Sequence, residues 1–318
     1  MGKQFFVFIV VLRALSAMII TNAHYTHVYP MEIFANGGLL GDVLFFSISG
    51  FCLAHINTSF GSWFKRRSIR VYTPTLIATI IFVMIGAYPV PSVWDGLKIF
   101  IWPTNYHFVG SIILLYIPFY FICSKVELTT SNFIKTSLVL FMIQSFLYLV
   151  VYDRSFYHID NVREPMIEFL FIQSMLLGAY YRKVTEGESL KNSIVVISGG
   201  GLLMISYFIS KVAFSKIASI SEWQMLNQVI LFFLLWFIFR IFYSMETSLK
   251  KMPVFFEKLF KYLADRTLEI YLVQYVIIPK TDSLVQWPFN WFIVTGTILV
   301  TAHVLHWMSQ KLLMKIGF

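Results

Sequence analysis

Arg13 lies inside the first apolar run of the chain and His24 stands at its end, and both can do chemistry that the aliphatic residues around them cannot. A cation inside a membrane span costs at least ~2.5 kcal/mol on insertion scales, so a guanidinium there snorkels, pairs with a neighbour or lines a wet cavity. An imidazole exchanges protons near neutral pH and can serve as a general base. His24 follows Arg13 by 11 positions. At about 100° per residue the net rotation is about 20°, so on a continuous helix the two share a face, about 16 Å apart along the axis. One wall would then carry a group for anions or carbonyls toward one end and a base toward the other. Taken alone, His24 beside Tyr25 and Tyr29 reads equally as an interfacial histidine in an aromatic belt.

A second group of cations, Lys65, Arg66, Arg67 and Arg70, falls in segment 63–74, expected to be a loop. Such a run is ordinary on the cytoplasmic flank of a span. Arg67 and Arg70, three apart with Arg66 beside them, would also project together from a short helix and could clamp a phosphate. Asp42 stands at the start of the second apolar run and is a candidate partner of Arg13 or His24; its expected depth favours His24. An acid at a helix start favoured by the helix dipole is the competing reading. Glu168, a few residues into the sixth run after Pro165, either lines a cavity or caps its helix. The pairs His24/His27 and His303/His306 have a spacing that can chelate a metal, but neither is joined by a carboxylate or cysteine, so no metal site is expected. Ser47, Ser49 and Gly50 suit close helix packing better than nucleophilic catalysis.

These residues need walls to hold them, and composition says what the walls are. The chain has 318 residues, 58% hydrophobic and 13% charged, with a mean hydropathy of +0.73. A soluble domain carries roughly 25% charged residues, and a chain this apolar must meet lipid over most of its outer face. Runs long enough to span lie near 4–24, 36–57, 76–93, 108–124, 135–152, 164–181, 194–210, 225–243, 268–281 and 288–310. The expected architecture is therefore an all-α bundle of about ten transmembrane helices, a single integral-membrane domain over 1–318 with no appended soluble domain. With the N-terminus placed in the cytoplasm, eighteen of the 25 basic residues fall on the cytoplasmic side and six outside, Arg13 being the remaining one. That bias puts both termini in the cytoplasm. It also accounts for the net charge of +9 through anionic membrane lipids, with no nucleic-acid partner. Cys52 and Cys123 both sit in apolar runs and imply no disulfide framework.

Four segments, in order, resemble the integral-membrane acyltransferase 3 family, whose members acylate sugars and other cell-surface acceptors. Arg13 and His24 meet the Arg, ten residues, His pattern of its first helix. The stretch from Gly41 through Phe45, Phe46, Ser49 and Gly50 to Phe51 is similar to its glycine, Phe-Phe, Ser-Gly-aromatic signature. Arg67 and Arg70, followed by Pro74, meet its cytoplasmic Arg-x-x-Arg, and the segment from Thr267 through Glu269 and Tyr271 to Gln274 is similar to its late tyrosine-rich segment. Two departures stand out. Gln274 takes a position where many members have His, and the family's Trp-containing fourth helix is poorly met by segment 106–111.

The resemblance implies a multi-pass enzyme of the bacterial plasma membrane. It would be an O-acetyltransferase moving an acyl group from cytoplasmic acetyl-CoA, a co-substrate rather than a tightly bound cofactor, to a hydroxyl of a surface glycan or lipid-linked sugar. His24 would be the base or the acyl-accepting nucleophile, with Arg13 and Asp42 as the other catalytic residues. Arg66, Arg67 and Arg70 would hold the donor phosphates, and Glu168, Glu269 and Gln274 would line the acceptor side. The competing reading is a transporter or flippase for a lipid-linked sugar or small metabolite, which also wants buried charge around a central cavity. Duplicated halves with matched broken helices would favour it, and no such repeat is visible in the sequence.

Overall fold

A backbone in hydrocarbon must satisfy its own N–H and C=O groups, which leaves helices or closed barrels. This chain uses helices. In a computed structural model describing residues 6–102, 104–185 and 194–318, no strand forms among the described residues. In chain order the helices are α1 Val7–Ala23, α2 Gly38–Leu53, α3 Phe60–Met84, α4 Val93–Phe100, α5 His107–Lys125, α6 Thr130–Val150 and α7 Ile167–Val184. They continue as α8 Ile194–Lys216, α9 Met225–Ser244, α10 Glu246–Leu249, α11 Val254–Asp265, α12 Thr267–Thr281 and α13 Phe289–Lys315. Lys3 and Lys191, part of the basic tally, lie outside the described residues.

Among the described residues, seven helices are long and apolar enough to cross a membrane: α2 with the turn before it, α3, α5, α6, α8, α9 and α13. The other three expected runs fall on α1, 17 residues long, on α7, which carries Glu168, Arg182 and Lys183, and on α12, 15 residues long. Helices α7 and α12 are buried over most of their length, so protein rather than lipid covers them.

One boundary departs from expectation. The third run was expected at 76–93 behind a basic loop, but α3 starts at Phe60 and carries the whole basic segment. Hydropathy marks only the lipid-immersed part of a helix, and nothing in 60–73 breaks one. Pro74 lies inside α3 and removes a backbone donor. On either side of it, Thr73 Oγ1 donates to the Ile69 carbonyl and Thr75 Oγ1 to that of Val71, each at 2.8 Å. Hydroxyl bonds of this kind help a membrane helix tolerate proline.

The helices sort into two compact units, one of Met1–Leu12, Val43–Ile56 and Pro118–Val254, the other of Arg13–Asp42, Asn57–Ile117 and Phe255–Phe318. In the first, α7 is the enclosed element and α2 runs against it backbone to backbone. A Cβ on Gly50 would lie 1.9 Å from the Met175 carbonyl oxygen, and one on Gly178 1.7 Å from that of Ser47. Only glycine permits so close an approach. Phe46 stacks on Phe171 one face over, with ring centroids 4.2 Å apart. The outer helices α6 and α8 bury few residues and turn apolar side chains outward.

In the second unit, α12 packs against α13 and α3. Tyr25 shares a 2.9 Å hydrogen bond with Thr295, and Asn290 Nδ2 donates to the Val28 carbonyl at 2.8 Å. These two bonds tie the segment after α1 to α13. Gly41 lets the start of α2 close on α1, since a Cβ there would sit 2.6 Å from the Ile20 side chain.

Candidate functional site

Eight of the nine sequence-derived site residues, Arg13, His24, Asp42, Arg66, Arg67, Arg70, Glu269 and Gln274, belong to the second unit, and Glu168 belongs to the first. Within the second unit they separate into two groups along the helices.

The cationic group forms around Tyr116 of α5. Its ring is enclosed and lies edge-on to Trp63 at 5.5 Å. Arg13 from α1 and Arg67 and Arg70 from α3 all stand within electrostatic reach of its hydroxyl. Arg13 is half-buried and pairs with no carboxylate among the described residues. Arg66 does not join this group. Its Nη2 donates to Thr58 Oγ1 at 2.7 Å and its Nε to the Ser62 carbonyl at 3.3 Å. Arg66 and Lys65 instead line a shallow cavity of about 550 Å³ with Thr58, Ser59, Ser62 and Phe318. Adjacent helical residues point about 100° apart, which explains why Arg66 parts from Arg67.

The second group gathers around Tyr275 of α12. His24 follows the last residue of α1 and presents its ring to Tyr275, centroids 4.9 Å apart at 65°. Tyr275 packs edge-on against Tyr271 at 5.3 Å and lies 5.9 Å from Tyr106. Tyr88 donates to the Tyr106 hydroxyl at 3.2 Å, and the Tyr271 hydroxyl lies 3.4 Å from His107 Nδ1. Asp42 stands within electrostatic reach of both Tyr271 and Tyr275. The expected pairing of Asp42 with His24 does not form: Asp42 makes no ion pair among the described residues, and Tyr275 is the group that both approach.

Three side chains here keep unused hydrogen-bonding capacity. Asp42 Oδ1, the Tyr275 hydroxyl and both amide atoms of the fully buried Gln274 meet no partner of good geometry among the described residues. An unsatisfied buried polar group costs about 1–3 kcal/mol. Several in one place mark a position where bound ligand or water supplies the missing partners. Burial also pushes the His24 imidazole below its ordinary range. It is therefore neutral at pH 7 and able to accept a proton.

Glu269 is engaged elsewhere. Its Oε1 lies 2.9 Å from His306 Nδ1, a bond joining α12 to α13. His303, one turn away, stacks on Tyr262 instead.

The two groups are similarly spaced along two helices. From Arg13 to the end of α1 at Ala23, just before His24, is about 15 Å, and the nine-residue step from His107 to Tyr116 on α5 covers about 14 Å. Tyr106, His107, Tyr271 and Tyr275 were not foreseen as a cluster. The available signal was the i, i+4 pair Tyr271/Tyr275 flanking Gln274, which puts two phenols on one helix face.

A family model described as an acyltransferase domain matches residues 6–306 of the chain. No curated protein and no solved structure matches it.

Proposed function

Because the chain belongs to the acyltransferase 3 family and is a membrane acyltransferase, we propose that it transfers an acetyl group from cytoplasmic acetyl-CoA to a hydroxyl of a bacterial surface glycan outside the plasma membrane. Capsule, O-antigen and exopolysaccharide are the candidate acceptors. Arg67 and Arg70 hold the nucleotide phosphates by charge-assisted hydrogen bonds. Arg13 guides the thioester arm toward the His24 end. Asp42, Gln274 and the Tyr275 hydroxyl, with their unfilled bonds, hold the hydroxyl-rich acceptor.

In the transfer step His24 accepts the proton of the acceptor hydroxyl as its oxygen attacks the thioester carbonyl carbon. The carbon–sulfur bond then breaks, and the departing thiolate takes up the proton from the imidazolium. Arg13 supplies positive charge along the path of the donor arm, about 16 Å from the His24 end. Glu168 lies in the first unit and receives no role; Glu269 positions α12 through His306.

The observation that supports this reading best is the His24 imidazole set against Tyr275, near Asp42 and Gln274 with their unfilled hydrogen bonds, one helix length from a trio of cations. The test is direct. Purified protein in lipid nanodiscs, given acetyl-CoA labelled in the acetyl group and glycan from cells lacking the gene, should move label into alkali-labile ester. No label on any candidate glycan would sink the proposal.

A further inference from the structure

The first unit contains a cavity lined by none of the residues assigned to the proposed acyl transfer. It measures about 630 Å³, lies among α6, α7 and α9, and is walled by Phe133, Phe141, Leu170, Phe232, Trp236 and Phe237 among others. Sites for small amphiphiles have volumes of this size.

The two ends of the cavity differ. At one end three buried amides form a hydrogen-bonded chain that ends on a backbone carbonyl. Gln173 Nε2 donates to Gln144 Oε1 at 3.2 Å, Gln144 Nε2 to Gln228 Oε1 at 2.6 Å, and Gln228 Nε2 to the Ile159 carbonyl at 2.9 Å. At the other end the Thr130 and Tyr180 hydroxyls lie 3.2 Å apart, and Arg240 sits over the Trp236 ring, 5.4 Å from its centroid. Arg240 is half-buried, its Nε has no hydrogen-bond partner, and no carboxylate among the described residues pairs with it.

Length identifies what fits between these ends. From Trp236 back to Met225 on α9 is about 16 Å, and from Thr130 to Gln144 on α6 about 21 Å. One leaflet of a hydrocarbon core is about 15 Å deep, half of about 30 Å. The cavity thus has the depth of a single leaflet, with neutral amides at one end and, at the other, Arg240 on the next helical turn beyond the lining residue Trp236. Its flank faces the lipid side, since Ile134, Leu138 and Phe233 are 49%, 54% and 53% exposed.

We propose that this cavity holds one acyl chain of an anionic phospholipid from the surrounding bilayer, with the lipid phosphate against Arg240. A neutral lipid would fill the apolar walls but leave the half-buried guanidinium without a counter-charge. Free phosphate would meet the guanidinium but leave the walls empty. The anionic amphiphile satisfies both, and the assignment stands independently of the acyl-transfer reading.

The test uses the full chain in phosphatidylcholine nanodiscs containing graded amounts of phosphatidylglycerol, or of phosphatidylcholine, brominated on its acyl chains. Bromine quenches tryptophan at short range, and the difference between wild type and Trp236→Phe isolates the emission of Trp236. Brominated phosphatidylglycerol should half-quench Trp236 at about a fivefold lower mole fraction than brominated phosphatidylcholine, the factor carried by one cation near an anionic headgroup. Arg240→Gln should equalise the two lipids, Arg240→Lys should keep the preference, and Ser137→Phe, which fills the cavity, should suppress quenching by both. Equal quenching by the two lipids in wild type, or a preference that survives Arg240→Gln, would overturn the assignment. If Arg240→Gln does not fold, the wild-type headgroup comparison decides.

Discussion

Replacing Gly178 with Ala would set a methyl carbon 1.7 Å from the Ser47 carbonyl oxygen, 2.6 Å from its carbon and 2.9 Å from the Phe51 nitrogen. All three are backbone atoms of α2, so no side-chain rotation relieves the clash. Carbon–oxygen contacts across helix interfaces lie at about 3.3–3.6 Å, so the two helices must part by about 1.5 Å. Alanine returns up to ~1 kcal/mol of helix propensity. Overpacking costs about 1–3 kcal/mol where side chains can adjust, and more where backbone must move. The net loss should be about 2 kcal/mol or more, which lowers the melting temperature by about 3 °C or more in a chain of this length. Gly50→Ala, 1.9 Å from the Met175 carbonyl oxygen, should behave alike. Gly201→Ala on α8 is the control: nothing lies within 4 Å of its Cβ, so it should match or exceed wild type. Thermal unfolding in detergent, followed by far-ultraviolet circular dichroism, ranks the three. Gly178→Ala melting with Gly201→Ala would refute backbone contact between α2 and α7.

His24→Ala should abolish acetyl transfer while leaving helix content and membrane insertion unchanged, measured by labelled-ester formation beside circular dichroism. The acid limb of the pH–rate profile should lie below the range of a free imidazole, because burial holds His24 neutral to lower pH and transfer fails only once it protonates; a limb above that range would contradict the assignment. Arg67→Ala should raise KM for acetyl-CoA about 10- to 100-fold, the loss of about 1.5–3 kcal/mol from a charged hydrogen bond. Arg66→Ala should change that KM little, since Arg66 is bonded to Thr58 and Ser62. Tyr275→Phe should raise KM for the acceptor glycan and leave KM for the donor unchanged.

Much of the helical layout is legible in hydropathy alone, because lipid imposes one requirement on every span and a window of about 20 residues reads it. The packing role of Gly50 is legible for a similar reason: a small residue in an apolar helix most often marks a close approach. The start of α3 is not, since charges at a membrane surface lower hydropathy without breaking a helix. The Tyr275 cluster is hidden for another reason. Tyrosines are common in aromatic belts, and only the fold brings Tyr106 of the α5 entry, Tyr271 and His24 to one place. The bond between Glu269 and His306 spans 37 residues, and no local pattern announces it. The separation of Arg66 from Arg67 and Arg70 needed the helix itself, because in a loop the three cations read as a single cluster.

The central claim is that the imidazole of His24 drives ester formation on a surface glycan, and one comparison tests it. Surface polysaccharide is isolated from cells deleted for the gene and complemented with either the wild-type chain or His24→Ala at matched membrane levels. Its O-acetyl methyl resonances are then integrated by proton NMR. Esters restored by wild type and absent with His24→Ala are the predicted result. Equal ester content in the two strains would contradict the account.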